Sequence, residues 1–530
     1  MPSRFILTKK AGEIGEQWKA KARWTFLGHK DPDALELERY APTPSSTTVM
    51  LCLQVIASMN FRLYIMDVSS AFGQSDPHER EQGPLYASMP PTGIPDVPRH
   101  ALVRVLTAVY GLVNAPAVWR KTVRRHLIEL GYSESVFDPC LYYLKPNDEE
   151  KTSVERFVVA GVVLLDVDDF CQGGNQRHEA LMGELRKRLK FGKWRDVYGG
   201  TAEYIGRTLK QLENFEIQVS MQRYIEEKLR VVTLPRERLK DKASLLTETE
   251  ITWLRGVGGS LLWVGKEGRP DVGAACAMAM SWSSSGPTVE HILMANKTVN
   301  ELKQTSDVFI RIIPMDPESS IWMSVADASM ANVENKSQGG YIIAYAEKQI
   351  LKGLRARFSI NSWRSHRLKR VVKATLGSEA LAMDDALAEI EWVRALWHEV
   401  LDPSTNVLDG ARLGNQQSVL VMRTPEDREF SESVASIRVK DDEVGAHVTD
   451  AKALYDLLHR RSGNAGQDRR AQIDVAVICV SAKALQLTTF WVPGSVMIAD
   501  PLTKRLGNGT LLRKVMSEAT YALMRDPNDL

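Results

Sequence analysis

Short apolar runs, separated by turns rich in Pro and Gly, fill the first 230 positions of the chain. Runs with the length and composition typical of strands lie at 63–68, 102–105 and 157–167. Helices are predicted in this part at 116–130 and 179–189. In the first of these helices Trp119, Val123 and Leu127 recur at helical spacing, and Gly131 follows as a stop signal. This part is therefore predicted to mix helices and strands.

Helical periodicity dominates the part of the chain that follows position 230. Helices are predicted there at 248–264, 269–281 and 289–303. Further on, the pattern predicts strands at 321–326 and 340–346, a long helix at 377–400, a stretch without a clear pattern at 402–442, and strand-like runs at 476–480 and 486–492. These shifts predict domains at 1–230, 231–318 and 319–510, with a C-terminal tail at 511–530.

Composition narrows the class of protein without indicating one function. Of the 530 residues, 44% are hydrophobic and 25% are charged, which is typical of a folded globular protein rather than a disordered or collagen-like chain. Lys and Arg number 68 against 66 Asp and Glu, and the resulting net charge of +2 neither indicates nor excludes a nucleic-acid ligand. The five Cys are scattered, without the paired spacing of a zinc site.

No membrane partner is expected from the hydropathy of the chain. The apolar run at 157–165 falls far short of the ~20 residues of a membrane-spanning helix, and it ends in acidic residues. The N-terminal stretch has basic residues but no apolar core, and Glu13 and Glu16 argue against a transit peptide. Because reduced thiols are also expected, the predicted localisation is cytoplasmic, nuclear or both.

Carboxylates follow two of the predicted apolar strands. Asp168 and Asp169 come at the end of one strand, and Asp67 lies near the end of the other. Mg²⁺ prefers oxygen ligands of this kind. If the two strands are neighbours in a sheet, these three carboxylates would surround two metal ions ~4 Å apart, as in sites of phosphoryl transfer. Taken singly, each acid is more simply interpreted as a solvated turn residue.

The order of several short motifs is more specific than any one of them. In the first part the chain has Met66-Asp67-Val68 with Ala71-Phe72, then Tyr110-Gly111-Leu112 with Ala115-Pro116 and Trp119, then Asp138-Pro139-Cys140-Leu141-Tyr142, and then Val167-Asp168-Asp169. This series resembles the reverse transcriptase of copia-type LTR retrotransposons. Later segments resemble the RNase H domain of the same Pol polyproteins, at Ser324–Ser329, Ser378–Ala380, Thr449–Leu454 and Ala499–Lys504. The resemblance extends over residues 3–506.

The resemblance implies both a fold and an activity. The implied fold is an α+β right-hand polymerase with fingers, palm and thumb, followed by an α/β RNase H-like domain. The implied function is RNA-directed DNA polymerase with RNase H activity on RNA–DNA hybrids, in a fragment of a Pol polyprotein. The implied partners are an RNA template, a DNA primer, the RNA–DNA hybrid and dNTPs, with two Mg²⁺ (or Mn²⁺) ions per active site as cofactors. The oligomeric state is left open.

In the polymerase part, the resemblance assigns catalytic and nucleotide-binding roles. The catalytic metal ligands would be Asp67, Asp168 and Asp169. The nucleotide-binding residues would be Lys21 and Arg23 over the triphosphate, Phe72 as a steric gate under the sugar, and Tyr110 and Gly111 beneath the nucleotide and template. The simpler interpretations are surface charge for the two cations, a core position for the Phe, and helix packing for the Tyr-Gly turn.

In the RNase H-like part, the resemblance implies a second metal site. Its catalytic and metal-binding residues would be Asp327, Glu379, Asp450 and Asp500. The run 355–373, just before the long helix, has many cations, no acid, and two aromatic residues among them. Its predicted nucleic-acid-binding residues are Arg355, Arg357, Arg364, Arg367, Lys369, Arg370 and Lys373. The alternative interpretation of this run is a solvated charged face.

Three positions depart from the pattern of the family. Asp166 stands where the family usually has Tyr, Asn114 where it commonly has Gln, and Ala451 where Asn usually follows the third RNase H acid. Because an extra acid could repel the nucleotide, a catalytically decayed remnant that at most binds nucleic acid stays an alternative. A second alternative, an unrelated metal-dependent phosphohydrolase, leaves the Tyr-Gly-Leu and Asp-Pro-Cys-Leu-Tyr segments unexplained.

Overall fold

The structure of the protein is a computed structural model. It describes residues 1–10, 19–77, 80, 83–152, 158–333, 336–401, 445–459, 468–505, 507 and 509–523. The stretch at 402–442 and the first residue of the strand predicted at 157–167 lie outside the described residues. In the described part of the chain, no helix combines the length and the apolar character that crossing a lipid bilayer requires.

Helices are distributed over the whole of the described chain. They are α1 (Ser46–Ser58), α2 (Ala115–Glu129), α3 (Asp148–Thr152), α4 (Gln176–Arg188), α5 (Gln222–Glu227), α6 (Arg236–Lys240), α7 (Glu248–Glu267), α8 (Gly273–Met278), α9 (Val289–Gln304), α10 (Thr375–Leu401), α11 (Lys452–His459), α12 (Arg469–Ala484), α13 (Asp500–Thr503) and α14 (Gly509–Glu518).

The strands fall into two small ladders and three larger sheets. They are β1 (Ser3–Lys10), β2 (Lys19–Phe26), β3 (Tyr64–Val68), β4 (Tyr86–Ser88), β5 (Leu102–Arg104), β6 (Ser133–Glu134), β7 (Leu141–Leu144), β8 (Gly161–Asp166), β9 (Asp169–Gly174), β10 (Phe191–Asp196), β11 (Thr201–Tyr204), β12 (Arg207–Gln211), β13 (Ile217–Ser220), β14 (Phe309–Ile312), β15 (Ser320–Val333), β16 (Lys336–Glu347), β17 (Ala356–Arg367), β18 (Gly445–Thr449), β19 (Leu487–Trp491) and β20 (Thr520–Tyr521).

The first sheet is antiparallel and has the strand order β10-β3-β9-β8-β7-β6. Its strands β3 and β8 confirm the strands predicted near 63–68 and 157–167, and α2 and α4 confirm the two predicted helices. Strand β9 turns back from β8 and pairs with β3. The two acidic strand ends predicted to meet therefore lie side by side.

Helix α1 is a buried helix that packs between the first and the last sheet. Its residues Thr48–Ala57 are all buried, and it contacts β8 and β9 of the first sheet on one side and β17 of the last sheet on another. A helix enclosed on every side needs apolar residues all round rather than along one stripe, and its sequence is of that kind. One continuous hydrophobic core consequently joins the first and last parts of the chain.

The middle of the chain is mainly helical, as predicted. Helices α7 and α9 confirm the predictions at 248–264 and 289–303, and a hydrophobic cluster joins them to α5. Strand β14 belongs to this predicted segment, yet it pairs with β13 of the preceding one in the sheet β11-β12-β13-β14. The boundary predicted at 230 therefore cuts through a sheet.

The last sheet is mixed, with the strand order β19-β18-β15-β16-β17-β20. Strands β15, β16 and β17 form an antiparallel meander, whereas β18 and β19 run parallel to β15 on its other side. The long helix α10 packs on β15 and β16 and against α12. Strands β15, β16 and β19 and helix α10 confirm their predictions.

Two of the predicted elements are wrong. The strand-like run at 476–480 lies within helix α12, where the Asp468 side chain caps the first turn and buried Val475 and Ile478 recur at helical spacing. The helix predicted at 269–281 is a 3-10 turn followed by the short α8, because Pro270 cannot continue a regular helix from the preceding segment.

Two segments are more ordered than their sequence pattern indicated. The cationic run at 355–373 contains strand β17, whose alternation is masked by charged residues. The predicted C-terminal tail is folded as far as Leu523, since α14 buries Leu512 and Met516 and β20 pairs with β17. Arg513 of α14 also pairs with buried Asp271 at 2.8 Å. The end of the described chain is therefore part of the packed structure.

Candidate active sites

The predicted catalytic acids of the first part meet where β3 lies beside the β8–β9 hairpin. Asp67 on β3 is directly opposite Asp169 on β9. The backbone N–H of Val68 donates to the carbonyl oxygen of Asp168 at 2.9 Å. The register of the sheet thus brings Asp67, Asp168 and Asp169 together from two segments that are a hundred residues apart.

The turn that carries Asp168 has a strained backbone. Val167 has a φ of 53°, in the left-handed region that β-branched residues rarely adopt. The indole N–H of buried Trp119 donates to the carbonyl oxygen of Val167 at 2.6 Å. Strain of this kind persists only where the surrounding structure holds it, and it is common at functional sites. Trp119 therefore helps to position Asp168 by holding the backbone of the turn that carries it.

Two cations of β2 face these acids. Burial raises the pKa of Asp168 and the carboxylate of Asp67 raises it further, whereas Lys21 and Arg23 lower it. Burial also raises the pKa of Asp166, and the charge of Asp168 adds to this rise. Lys21 and Arg23 are thus close enough to offset part of the negative charge, as expected of residues that would bind a triphosphate. Their contact with a nucleotide stays a prediction.

Phe72 and Tyr110 form an aromatic pair next to the acids. Their ring centroids are 5.1 Å apart in an edge-to-face arrangement, and the guanidinium of Arg23 lies 5.9 Å from the centroid of the Tyr110 ring. Phe72 is only partly buried and packs against two neighbouring hydrophobic clusters. A core role and a role in nucleotide selection are therefore compatible for this side chain.

Gly111 has a packing role that explains its place in the motif. It has a φ of +93°, and a Cβ at this position would lie 2.0 Å from the carbonyl oxygen of Phe26. The backbones of the two segments are hydrogen-bonded here, from the Phe26 N–H to the Tyr110 carbonyl (2.8 Å) and from the Gly28 N–H to the Gly111 carbonyl (3.1 Å). Gly111 thereby lets β2, with its two cations, approach the acids.

The Asp138-Pro139-Cys140 motif anchors helix α1. The buried carboxylate of Asp138 accepts hydrogen bonds from the hydroxyl of Thr48, from the backbone N–H of Ser45 (3.3 Å) and from that of Cys140 (2.9 Å). The Cys140 thiol donates to the carbonyl oxygen of Pro42 at 3.3 Å. This motif of the predicted family therefore holds the start of the central helix in place.

A second group of acids lies just beyond the paired stretch of the parallel strands β15 and β18. Asp327, Glu379 and Asp450 each offer a carboxylate oxygen within 4.8 Å of the other two. Asp327 is almost fully buried on β15, Glu379 lies near the start of α10, and Asp450 directly follows β18. Asp500, the fourth predicted acid, begins the short helix α13 beside them. We call Asp327, Glu379, Asp450 and Asp500 the four-acid site.

Two residues that were not predicted as site residues contact this site. The hydroxyl of Thr503 donates to Asp327. The ammonium of Lys504 lies 2.5 Å from Asp500 Oδ1 and 3.9 Å from Asp327 Oδ2. The signal for Lys504 was present in the sequence, because Asp500 and Lys504 are four residues apart and share one helical face.

Burial and mutual repulsion raise the pKa values of the four-acid site. Burial raises the pKa of Asp327 to about 7, with Asp450 and Asp500 adding to the rise and Thr503 and Lys504 opposing it. Burial raises the pKa of Glu379 to about 9, and the charges of Asp327 and Asp450 add to it. The pKa of Asp450 is also raised, chiefly by burial. Folding thus brings together carboxylates that repel one another.

The donor set of the four-acid site fits a divalent cation such as Mg²⁺ or Mn²⁺. Such ions prefer carboxylate oxygens, and they would relieve the repulsion. The ammonium of Lys504 already lies against two of these carboxylates, which indicates that the site attracts positive charge. Among the described residues, the acids of the first part do not form an equally close group of three, although the charge of Asp67 contributes to the raised pKa of Asp168.

The predicted nucleic-acid-binding cations do not form one free surface. Arg355 pairs with Glu518 at 3.3 Å and Arg357 with Glu347 at 2.8 Å, and Arg370 forms an ion pair with Asp474. The run has no acid of its own, but the tertiary structure supplies three from other elements. The remaining predicted cations are exposed or partly exposed, at Arg364 and Arg367 on β17 and at Lys369 and Lys373 in the loop before α10.

The chain is similar to known proteins of one kind. Residues 1–237 match the model of the family described as "Reverse transcriptase (RNA-dependent DNA polymerase)", which supports a polymerase fold for this part. The Retrovirus-related Pol polyprotein from transposon RE1 of Arabidopsis thaliana is 26% identical over 412 residues, which is 75% of this chain and 26% of that protein. The corresponding polyprotein from transposon TNT 1-94 of Nicotiana tabacum is 23% identical over 403 residues, covering 72% and 28%.

The chain spans about a quarter of the length of these curated relatives. Among solved structures, a foamy viral protease-reverse transcriptase in complex with dsDNA matches 92% of this chain and 75% of its own. The sequence identity is 12% and the TM-score is 0.19, which does not establish a common fold.

Proposed function

Because the chain is a homologue of Pol polyproteins from copia-type retrotransposons, we propose that it is an RNA-directed DNA polymerase joined to an RNase H. The observation that carries the proposal is the meeting of Asp67 and Asp168 with Lys21 and Arg23 at a strained turn. This meeting occurs within the residues that match the reverse transcriptase family. Opposed charges at one turn suit a site that binds a metal-complexed triphosphate.

In the polymerase part, residues 1–230 would be the fingers and palm, and 231–318 the thumb and connection. Asp67, Asp168 and Asp169 would hold two Mg²⁺ or Mn²⁺ ions, which when bound activate the primer hydroxyl and neutralise the leaving pyrophosphate. Lys21 and Arg23 would bind the triphosphate of the incoming dNTP and stabilise its charge, because fixed cations require no reorganisation during the reaction.

Phe72 and Tyr110 would shape the pocket for the sugar of the nucleotide. The edge-to-face contact between their rings, at 5.1 Å, limits the freedom of Phe72 to move aside. A rigid ring under the sugar would clash with a ribose 2′-hydroxyl and thereby favour deoxynucleotides. The guanidinium of Arg23 lies over the ring of Tyr110. The position of Phe72 under the sugar and the contact of Arg23 with the triphosphate would therefore depend on each other.

The last part would be the RNase H-like domain. A mixed sheet with an antiparallel meander and two added parallel strands supports this assignment. Asp327 and Asp450 follow the paired stretch of its adjacent parallel strands β15 and β18, and their carboxylates lie close together. The four-acid site would hold the metal ions that activate water for cleavage of RNA. Asp327 and Glu379 would be the ligands that Thr503 and the N-terminal turns of α10 position.

An RNA–DNA hybrid would be bound by the cations near α10. The exposed ammonium groups of Lys369 and Lys373 precede Glu379 by only ten and six residues, so they would contact phosphates close to the scissile bond. Arg364 is the exposed one of the two predicted cations of β17 that have no acidic partner named above, and it would contribute a further contact. Arg355, Arg357 and Arg370, which pair with acids, would contribute less.

The test is Mg²⁺-dependent incorporation of dNTPs on an oligonucleotide-primed RNA template, followed by an assay of hybrid RNA cleavage. Template-dependent extension supports the polymerase, and loss of RNA from the hybrid supports the RNase H. Binding of the primed template without either reaction would instead favour the decayed remnant, for which the extra acid Asp166 beside Asp168 is the specific observation.

A further inference from the structure

Lys504 is part of the four-acid site by position, although it carries the opposite charge. Its ammonium lies 2.5 Å from Asp500 Oδ1 and 3.9 Å from Asp327 Oδ2. The backbone N–H of Lys504 donates to the carbonyl oxygen of Asp500 at 2.9 Å, which keeps the two residues in one helical turn. The hydroxyl of Thr503 donates to the same oxygen of Asp327 that Lys504 approaches. Thr503 at the end of helix α13 and Lys504 directly after it thus present a hydroxyl and an ammonium to Asp327.

The ammonium has an electrostatic reason to be there. Asp327, Glu379 and Asp450 have carboxylate oxygens within 4.8 Å of one another, and like charges this close repel strongly in a partly desolvated site. Asp500 is not a member of that close group, and its oxygen is instead held by Lys504. One positive charge therefore relieves the repulsion and also keeps the fourth acid apart from the other three.

We propose that Lys504 is an internal counter-ion that competes with divalent metal for Asp327 and Asp500, and that its side chain must leave these carboxylates when metal binds. The inference rests on the proposed function, in which the four-acid site binds Mg²⁺ or Mn²⁺. An ammonium and a divalent cation cannot share a carboxylate at contact distance without strong repulsion. The Lys504 side chain is 44% exposed, so its flexible stem can swing into solvent.

The expected consequence is a weaker apparent metal affinity than the carboxylates alone would give. When the binding-competent state is only a fraction of the population, the apparent dissociation constant rises in inverse proportion to that fraction. Replacing Lys504 with an uncharged residue of similar length removes the competitor. We expect Lys504→Met to tighten metal binding about tenfold, which corresponds to ~1.4 kcal/mol, because the change removes a positive charge that lies against two of the carboxylates.

The experiment is titration calorimetry of the full chain with MnCl₂ at pH 8. Asp67→Asn and Asp168→Asn are present in every protein, so that metal binding by the acids of the first part is weakened. The binding heat that is lost when Glu379→Gln is added to this background is assigned to Mn²⁺ binding at the four-acid site. Lys452→Met is the matched control, because Lys452 lies two residues after Asp450 but pairs with Asp456 at 3.1 Å. It removes the same charge close by without touching Asp327 or Asp500.

The supporting result is tighter Mn²⁺ binding in Lys504→Met, with Lys452→Met close to the background protein. Lys504→Arg, which keeps the charge, should bind Mn²⁺ much as the background does. Unchanged or weaker binding in a cooperatively folded Lys504→Met protein would overturn the inference while leaving the metal site intact. If the background protein and its Glu379→Gln variant bind Mn²⁺ equally, or neither binds it, the inference and the proposed metal site are overturned together. If Lys504→Met does not fold, Lys504→Gln carries the same expectation.

Discussion

Trp119 donates its indole N–H to the carbonyl oxygen of Val167 at 2.6 Å, and this hydrogen bond connects the start of α2 to the turn that carries Asp168. The two residues are 48 positions apart in the chain. The carbonyl belongs to a residue with a positive φ, so the bond helps to maintain a backbone conformation that Val does not favour. A Trp at position 119 therefore contributes the hydrogen-bond donor of its indole N–H as well as the volume of its ring.

We expect Trp119→Phe to lower the free energy of unfolding by about 1–3 kcal/mol, because the partly buried carbonyl of Val167 loses its donor and part of the ring volume is lost. DNA synthesis should fall more than hybrid RNA cleavage, since only the first site depends on this turn. Urea denaturation and the two activity assays measure these effects. Trp253→Phe, on the exposed face of α7, is the control and should change neither. Equal loss of both activities would contradict the positioning role.

Asp168→Asn should abolish DNA synthesis while RNA cleavage survives. The change removes the charge of the acid that interacts electrostatically with Asp67 and with the two cations of β2. Primer extension and cleavage of a preformed hybrid are measured on the same preparation. Asp148→Asn, at an exposed position of α3, is the matched control. Simultaneous loss of both activities in a folded protein would argue against two separate sites.

Phe72→Val should admit ribonucleotides far better, while the use of deoxynucleotides drops less. The smaller side chain leaves room for a 2′-hydroxyl next to Tyr110. The measurement is the ratio of dNTP to rNTP incorporation in single-nucleotide primer extension. Phe309→Val is a control of the same type, because Phe309 is partly exposed on strand β14, where Val is well tolerated. An unchanged ratio in Phe72→Val would mean that Phe72 is a core residue only.

Gly111→Ala should detach β2 from the acids. The added Cβ would meet the carbonyl oxygen of Phe26 at 2.0 Å, at a φ that Ala disfavours. We expect a loss of about 2–4 kcal/mol in unfolding free energy and a raised KM for dNTPs. Gly256→Ala is the matched control, since nothing lies within 4 Å of a Cβ there and a helix prefers Ala by about 1 kcal/mol. Equal stability of the two variants would exclude the close backbone approach.

Stability without metal should fall as the pH rises. The pKa values of Asp327 and Glu379 are raised from 3.8 and 4.5 to about 7 and about 9, so the folded protein binds more protons than the unfolded chain between these limits. The contribution of these two carboxyl groups to the free energy of unfolding is therefore largest below pH 4. This contribution is lost progressively as the pH rises to about 9. Thermal melting in EDTA at pH 5, 7 and 9 measures the trend.

Glu379→Gln should flatten this pH dependence, because the group with the larger rise no longer ionises. The same change should abolish RNA cleavage and weaken stabilisation by Mg²⁺, whereas binding of the hybrid persists through Lys369 and Lys373. Glu149→Gln on the exposed helix α3 controls for the substitution itself. A folded Glu379→Gln protein that cuts hybrid at the wild-type rate would show that Glu379 is not part of the site.

The sequence indicated which local segments carry chemistry. Apolar strands that run into acids predicted β3 and β8, and the order of motifs predicted the family. The helical spacing of Trp119, Val123 and Leu127 predicted α2 within one residue at each end. These features are local because side-chain periodicity and turn residues act over a few positions. For the same reason the cations of 355–373 concealed strand β17, and a short apolar run was mistaken for a strand within α12.

The sequence by itself determined the residue types of two acidic sites and their order along the chain. Only the tertiary structure decided which charges offset one another, because that depends on strands that meet across the fold. It placed Lys21 and Arg23 opposite Asp168, and it paired Arg355, Arg357 and Arg370 with distant acids. It also set Lys504 between Asp500 and Asp327. Coulomb interactions depend on distance in space and on burial, and neither can be read from separation along the chain.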